Sequence, residues 1–393
     1  MNTRLQLSLA LALAAQFLGP LHAAEERIKI TDWATGKEAP IRIALSGYSG
    51  DALNVLRFDL EVAGFKIVPD AEAQWLLQGG AQDQVQGQLM DALNKSVKFA
   101  KAYSGGTQRT QIHTLADEVV EAAAARKGIA RTRVAFKVKA GEAGGIGEIY
   151  VADYDGFNAT AVTQDRVIVA APSWVPGRRT LVYMTHKFNN PDIVVHDLGS
   201  GDRKVVARYA GSSMSPAVSP DGRRVVMVLG KSGSPDLFVA NLDGTGLKQI
   251  TQSKEDESSP CWSPDGKSIC FATKQGARRI LARVSAEGGE LQRIPISNVG
   301  NPTEPDWSPD GKWIAFTAQA GGNFDICLLP ARGGEATLLV SGEDPTWASN
   351  SRTLAFCRRV GNKRVLSLLD VPTRQNKDVR GNLGSYSQPS WAR

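Results

Sequence analysis

The phrase Pro-x-Trp-Ser-Pro-Asp-Gly-Lys, whole or worn, recurs through the last two-thirds of the chain at near-constant spacing. Its prolines are Pro172, Pro216, Pro260, Pro305, Pro345 and Pro389, and the steps between them are 44, 44, 45, 40 and 44 residues. A repeat of that size, built of short strands, is a propeller blade, because each unit buries its apolar faces only by stacking on its neighbours. Six copies predict a mainly β chain: a six-bladed, WD40-like β-propeller.

The best-preserved unit runs Ser259-Pro260-Cys261-Trp262-Ser263-Pro264-Asp265-Gly266-Lys267. Ser-Pro-Asp-Gly is turn chemistry: Ser at the first position, Pro fixing φ at the second, Gly where φ turns positive. It predicts a hairpin between strands A and B of each blade. The gap from the residue before the turn to the first core residue after it is constant, as in Trp174 to Leu181, Val218 to Val225, Trp262 to Ile269, Trp307 to Ile314 and Trp347 to Leu354. Blades one and five have lost the signature, reading Val175-Pro176-Gly177-Arg178 and Ala348-Ser349-Asn350-Ser351. Apolar C strands are expected over 192–196, 236–241, 279–284, 325–329 and 364–369, followed by Gly-rich turns and short D strands such as 248–251.

The sixth unit holds an A strand alone, at 387–392. Segments 132–138, 148–153 and 160–166 read as its B, C and D strands, with Asp153-Tyr154-Asp155-Gly156 as a turn. The last strand would then pair with the first of the propeller and leave no open sheet edge. The chain enters at a B strand and leaves at an A strand, so the preceding region should sit on the face of the A–B turns.

Residues 1–24 have the pattern of a secretory signal peptide: Arg4, an apolar run from Leu5 to Leu18, then Leu21-His22-Ala23-Ala24. Residues 25–128 read as a small α/β domain and 129–393 as the propeller. Strands are expected at 41–45, 65–68, 74–78 and 97–103, with helices at 51–63 and 107–127. The second helix carries the stripe Ile112, Leu115, Ala116, Val119, Val120 and Ala123. Gly128 is expected as its terminator, and His113, off the stripe, as solvent-facing.

The net charge is +6. Its small excess lies on the propeller and is too thin, without basic runs among aromatics, for nucleic-acid binding. Cys261 and Cys270 should face each other across strands A and B. They are expected as small core residues rather than a disulfide, since directly opposed strand pairs strain the bond. Cys327 and Cys357 fall in adjacent blades.

No catalytic constellation emerges. Gly47-Tyr48-Ser49-Gly50 is followed by Asp51, not the Gly of a nucleophile elbow. His186 and His196 have no paired ligand and are expected to be structural. Asp153-Tyr154-Asp155-Gly156 lacks the later oxygens of a calcium loop, and Gly144-Gly145-Ile146-Gly147 reads as a B–C loop. No enzyme activity, cofactor or metal is expected. The alternative is an exported propeller hydrolase or lyase using Glu304 and Asp344 at the channel mouth.

Residues 129–136 (Ile-Ala-Arg-Thr-Arg-Val-Ala-Phe), then Asp153-Tyr154-Asp155-Gly156-Phe157-Asn158, then the Ser-Pro-Asp-Gly units, resemble the TolB family of the Tol-Pal system. Glu26-Arg27-Ile28-Lys29-Ile30 and Asp91-Ala92-Leu93-Asn94-Lys95 extend the resemblance upstream. It implies a monomeric periplasmic binding protein that meets the lipoprotein Pal and the protein TolA. It would be peripheral to the outer membrane through Pal, and would maintain that membrane and its constriction at cell division. The channel mouth opposite the A–B turns is lined by the residues before the repeated prolines: Ala171, Ser215, Ser259, Glu304, Asp344 and Gln388. The resemblance implies that Pal binds there, at Ser212, Ser215, Ser258, Ser259, Thr303 and Glu304, with Asp344 and Gln388 completing the mouth. It implies that TolA meets the N-terminal segment, Glu25, Glu26, Arg27, Ile28 and Lys29.

Overall fold

A computed structural model describes residues 37–139, 146–188, 190–209, 211–320, 322–379 and 381–393. The signal sequence, the segment Glu25 to Lys29, and Gly144 and Gly145 lie outside them.

Six four-stranded antiparallel sheets make the propeller, each ordered A-B-C-D from the inside out. Strand A is Val169–Trp174, Ser213–Val218, Ser258–Trp262, Pro302–Trp307 and Glu343–Trp347 in blades one to five, and Ser385–Trp391 in blade six. Blade six takes its B, C and D strands from Arg133–Lys139, Glu148–Asp153 and Thr160–Ala161, so the C-terminal strand closes the ring. Observed C strands extend the expected ones by up to two residues at an end, as in Arg278–Ser285 and Asn323–Pro330. D strands are shorter than expected, as in Lys248–Gln249 and Thr160–Ala161, because the outermost strand packs on one neighbour only.

The constant gap proves to be a fixed register. Trp174 pairs with Leu181, Val218 with Val225, Trp262 with Ile269, Trp307 with Ile314, Trp347 with Leu354, and Trp391 with Val134. In the three intact turns the Gly N–H bonds the Ser carbonyl three residues back, at 2.8–2.9 Å, and the Gly takes φ near +70°. The worn turns close differently. Blade one puts Gly177 at the third position with φ +70°, and blade five holds Ser351 at φ +53°. The indoles tie blades together: Trp174, Trp262 and Trp347 donate from Nε1 to Ser390, Ala217 and Asp306 carbonyls of the preceding blade, at 2.8–3.1 Å.

The preceding region is a five-stranded sheet with two helices. Its strands are β1 (Ile41–Ser46), β2 (Phe65–Ile67), β3 (Trp75–Gly80), β4 (Val85–Asp91) and β5 (Val97–Tyr103), in the order β2-β1-β3-β4-β5. Strand β4 was not anticipated, since its Gln-Gly-Gln centre hides the alternation. The helices are α1 (Gly50–Val62) and α2 (Gln108–Ala124). Thr107 caps α2, its hydroxyl accepting the Thr110 N–H at 3.2 Å.

Two expectations about α2 are corrected. It ends at Ala125 with φ +51°, not at Gly128. Gly128 serves a close approach instead, for a Cβ there would lie 2.2 Å from Asp117 Oδ1. His113 is not solvent-facing but 4% exposed. A second polar stripe of α2 is covered by the propeller, which a one-sided amphipathic reading misses.

Apolar cores lie in the seams between blades, and the core of the α/β region is continuous with the seam of blades five and six through Ala348, Leu368, Tyr386 and Trp391. The α/β region contacts the face of the A–B and C–D turns, as the topology predicts. Cys261 and Cys270 are register partners and free thiols within the core of blades three and four.

Candidate docking site at the channel mouth

Each A strand carries one irregularity, and it always falls at the repeated proline. Ala171, Ser215, Ser259, Glu304, Asp344 and Gln388 all have φ between +48° and +57°. The pairing with strand B shifts register around each of them. None is glycine, and left-handed backbone costs an L-residue about 1–2 kcal/mol. Six β-bulges in one ring turn six side chains toward the axis.

These residues, with the buried prolines and the next ring inward (Ser173, Ala217, Cys261, Asp306, Thr346, Ser390), line a cavity of about 200 Å³. Five of the expected site residues therefore come together: Ser215, Ser259, Glu304, Asp344 and Gln388. Ser258 and Thr303 precede the bulges and turn away from the cavity, toward their own B strands, their hydroxyls 3.5 and 3.4 Å from the Ala272 and Thr317 carbonyls. Ser212 lies just before strand A, its carbonyl accepting the Gly230 N–H at 2.8 Å.

The ring has two unlike halves. On one side each long side chain accepts the backbone N–H of the next blade's mouth residue. Glu304 accepts from Asp344 at 3.0 Å, Asp344 from Gln388 at 2.9 Å, and Gln388 from Ala171 at 3.0 Å. On the other side Ala171, Ser215 and Ser259 are too short to make that bridge. Sequence reading named the six positions but not this asymmetry, whose signal is side-chain length alone.

Burial, then the neighbouring charge of Glu304, push the Asp344 carboxyl well above the usual range. Asp344 and Glu304 are thus engaged in holding backbone N–H groups, and Glu304 also accepts from the Thr317 hydroxyl at 2.7 Å. One ring deeper, burial raises the Asp306 carboxyl against the opposing charge of Arg393, with which it pairs. The far end of the channel is a second, more apolar cavity of about 330 Å³, walled by Trp174, Pro220, Trp262, Pro264, Trp307 and Trp391.

On the same face as the mouth, Glu257 precedes Ser258 and is 1% exposed. Burial lifts its carboxyl to about 7. Its Oε2 accepts the Leu237 N–H at 3.1 Å and the Thr251 hydroxyl, while Oε1 has no hydrogen-bond partner among the described residues. His196, elsewhere, is buried beside Tyr183, and burial lowers it to about 4, so it is neutral near pH 7.

The TolB β-propeller domain family matches residues 120–393. The chain belongs to that family. Curated relatives share shorter stretches. The Tol-Pal system protein TolB of Haemophilus ducreyi is 38% identical over 128 residues, 32% of this chain and 30% of the relative. That of Mannheimia succiniciproducens is 43% identical over 99 residues, 25% of this chain and 23% of the relative. The matched stretch spans less than a third of either relative's length. Among solved structures, TolB from Acinetobacter baumannii superimposes with a TM-score of 0.81 at 20% identity, covering 91% of this chain and 98% of that one. A chain of a nidogen/laminin complex gives 0.55 at 12% identity over 67% of this chain. Likenesses this remote speak for a shared fold alone, and one propeller serves many functions.

Proposed function

We propose that this chain is a non-enzymatic, monomeric component of the Tol-Pal system, exported to the periplasm. In this reading it binds the lipoprotein Pal at the channel mouth and TolA through Glu25 to Lys29, and so helps keep the outer membrane intact and constricting during division. Membership of the TolB propeller family supports the system. The observation that carries the docking reading is the mouth itself, six bulged residues on the face turned away from the α/β region. Its half lined by Ala171, Ser215 and Ser259 offers room for an inserted protein loop. The two acidic residues of the other half accept neighbouring backbone N–H groups, which leaves the hydrolase or lyase reading without a free acid/base pair.

The test is capture of Pal by the Ser215→Arg and Ser259→Arg variants, both at residues that line the mouth. Loss of capture with an unchanged melting temperature is expected. Full capture by the correctly folded variants would refute the placement. Deleting residues 25–29 is expected to abolish TolA binding and spare Pal.

A further inference from the structure

Blades three and five are built on the same register, and the comparison exposes a charge anomaly. In blade five, Arg364 near the start of strand C pairs with Glu343 at the start of strand A. Asp378 on strand D, next to Ser367 in the ladder register, is held by Arg358 through two bonds of 2.6 and 2.7 Å. Blade five thus carries its own counter-ions. The same registers in blade three hold Arg279 for Arg364, Ser258 for Glu343 and Arg293 for Asp378, the last beside Ala282. Both carboxylates are gone and an arginine stands in place of one.

Two of these positions, Arg279 and Arg293, line a cavity of about 410 Å³ at the seam of blades three and four, on the rim of the face that bears the channel mouth. Its charged lining residues are Arg278, Arg279 and Arg293, and none of its lining residues is acidic. Among the described residues, Arg278 and Arg279 have no ion-pair partner, and Arg293 reaches only the amide oxygen of Gln275, at 3.3 Å. The nearby Asp256 is taken by Lys274. The lining also includes the apolar Ile294, Ile296 and Val299. That stretch is fixed in advance. Asn298 exchanges two hydrogen bonds with Ala336 of the next blade, at 2.8 and 2.9 Å, and Ser297 N–H bonds the Gly334 carbonyl at 3.1 Å.

We propose that this cavity is a binding site for a phosphomonoester whose carbon skeleton lies on the apolar lining residues. Guanidinium forks match phosphate oxygens in pairs. Three cations around one cavity are better balanced by a group carrying between one and a half and two negative charges than by a single carboxylate. The phosphate comes either from a free sugar or glycerol ester or from a lipid headgroup. None of the six mouth residues lines it.

The test is calorimetric titration of the full chain with inorganic phosphate and glycerol 3-phosphate, with flotation on phosphatidylcholine vesicles doped with phosphatidic acid. Saturable binding is expected, weakened about tenfold or more by Arg293→Asp and by Arg279→Ser. Arg293→Asp imports the residue type that blade five carries at that register, Asp378, and Arg279 has no ion-pair partner to lose among the described residues, so both variants should melt like the wild type. Lys363→Ser, which removes the matching charge from blade five, should leave binding unchanged. Binding to vesicles as well as to the soluble esters assigns the lipid source, and binding to the esters alone assigns the free one. Absence of binding to every phosphate probe, equal binding by the arginine variants, or binding to polyglutamate in place of phosphate would overturn the proposal.

Discussion

The two faces of this propeller use charge in opposite ways. On the A–B and C–D turn face, charges are buried and matched. Arg352 of blade five holds Asp370 at 2.5 and 2.9 Å and reaches Glu38 at 2.8 Å, and Glu38 in turn meets Arg126 at 2.6 Å. Gly64 packs on this group so closely that a Cβ would lie 2.8 Å from Asp370 Oδ2. Beside it, Asp59 of α1 accepts from Tyr154 at 2.5 Å and contacts His113 Nδ1 at 2.7 Å, while Arg109 of α2 pairs with Asp155. At the channel mouth on the opposite face the six lining residues are held by backbone bulges and by side-chain bonds to backbone N–H groups rather than by ion pairs. The difference teaches which face is committed. One is consumed in holding the chain's own α/β region, and the other keeps its shape without help and is free to receive something else.

The comparison breaks first at Asp370. Asp370→Ala leaves the guanidinium of Arg352 buried with half its partners, and a loss of about 3–5 kcal/mol in denaturant unfolding is expected. A change under 1 kcal/mol would mean the junction is not held by these charges.

Glu257, on the free face, sharpens the contrast through pH. Its carboxyl is raised, so the folded state binds the extra proton and stability falls as pH climbs from about 4.5 to about 7. Glu257→Gln mimics the protonated form. It should stabilise the protein by about 2 kcal/mol at pH 8, with little change at pH 4. Equal unfolding midpoints for variant and wild type at pH 8 would contradict the burial argument.

His113 gives the smallest effect. Burial pulls its imidazole down, but the hydrogen bond and charge of Asp59 and the charge of Asp155 outweigh that and the repulsion from Arg109, so it is raised overall. A raised histidine contributes fully below about 6.5, and that contribution is lost as pH rises through the folded value. His113→Gln should cost about 1 kcal/mol at pH 6 and progressively less above it, read from melting temperatures across pH. A cost independent of pH would reduce His113 to packing.

The ring, its closure and the face that carries the α/β region were legible because they are periodic or topological. The 44-residue step, the constant gap from Trp262 to Ile269, and the missing strands of blade six each leave a mark on the chain. The six mouth positions were legible for the same reason, each standing before a repeated proline. Their left-handed backbone was not, since residues before proline ordinarily avoid helical conformations and Ala171 or Gln388 gives no turn signal. The junction was not legible either. Asp59, His113 and Asp155 are far apart in the chain and meet only when α1, α2 and a C–D turn are packed together. The charge anomaly of blade three needed the strand register, because Arg293 and Asp378 correspond only through the ladder.

The measurement that bears most directly on the account is amide hydrogen exchange of the full chain with and without the soluble domain of Pal. Protection is expected at residues 212–217, 257–261 and 302–306, with no change at the turns 349–351 and 153–156 on the far face. Protection confined to those far turns, with the mouth exchanging as before, would contradict it.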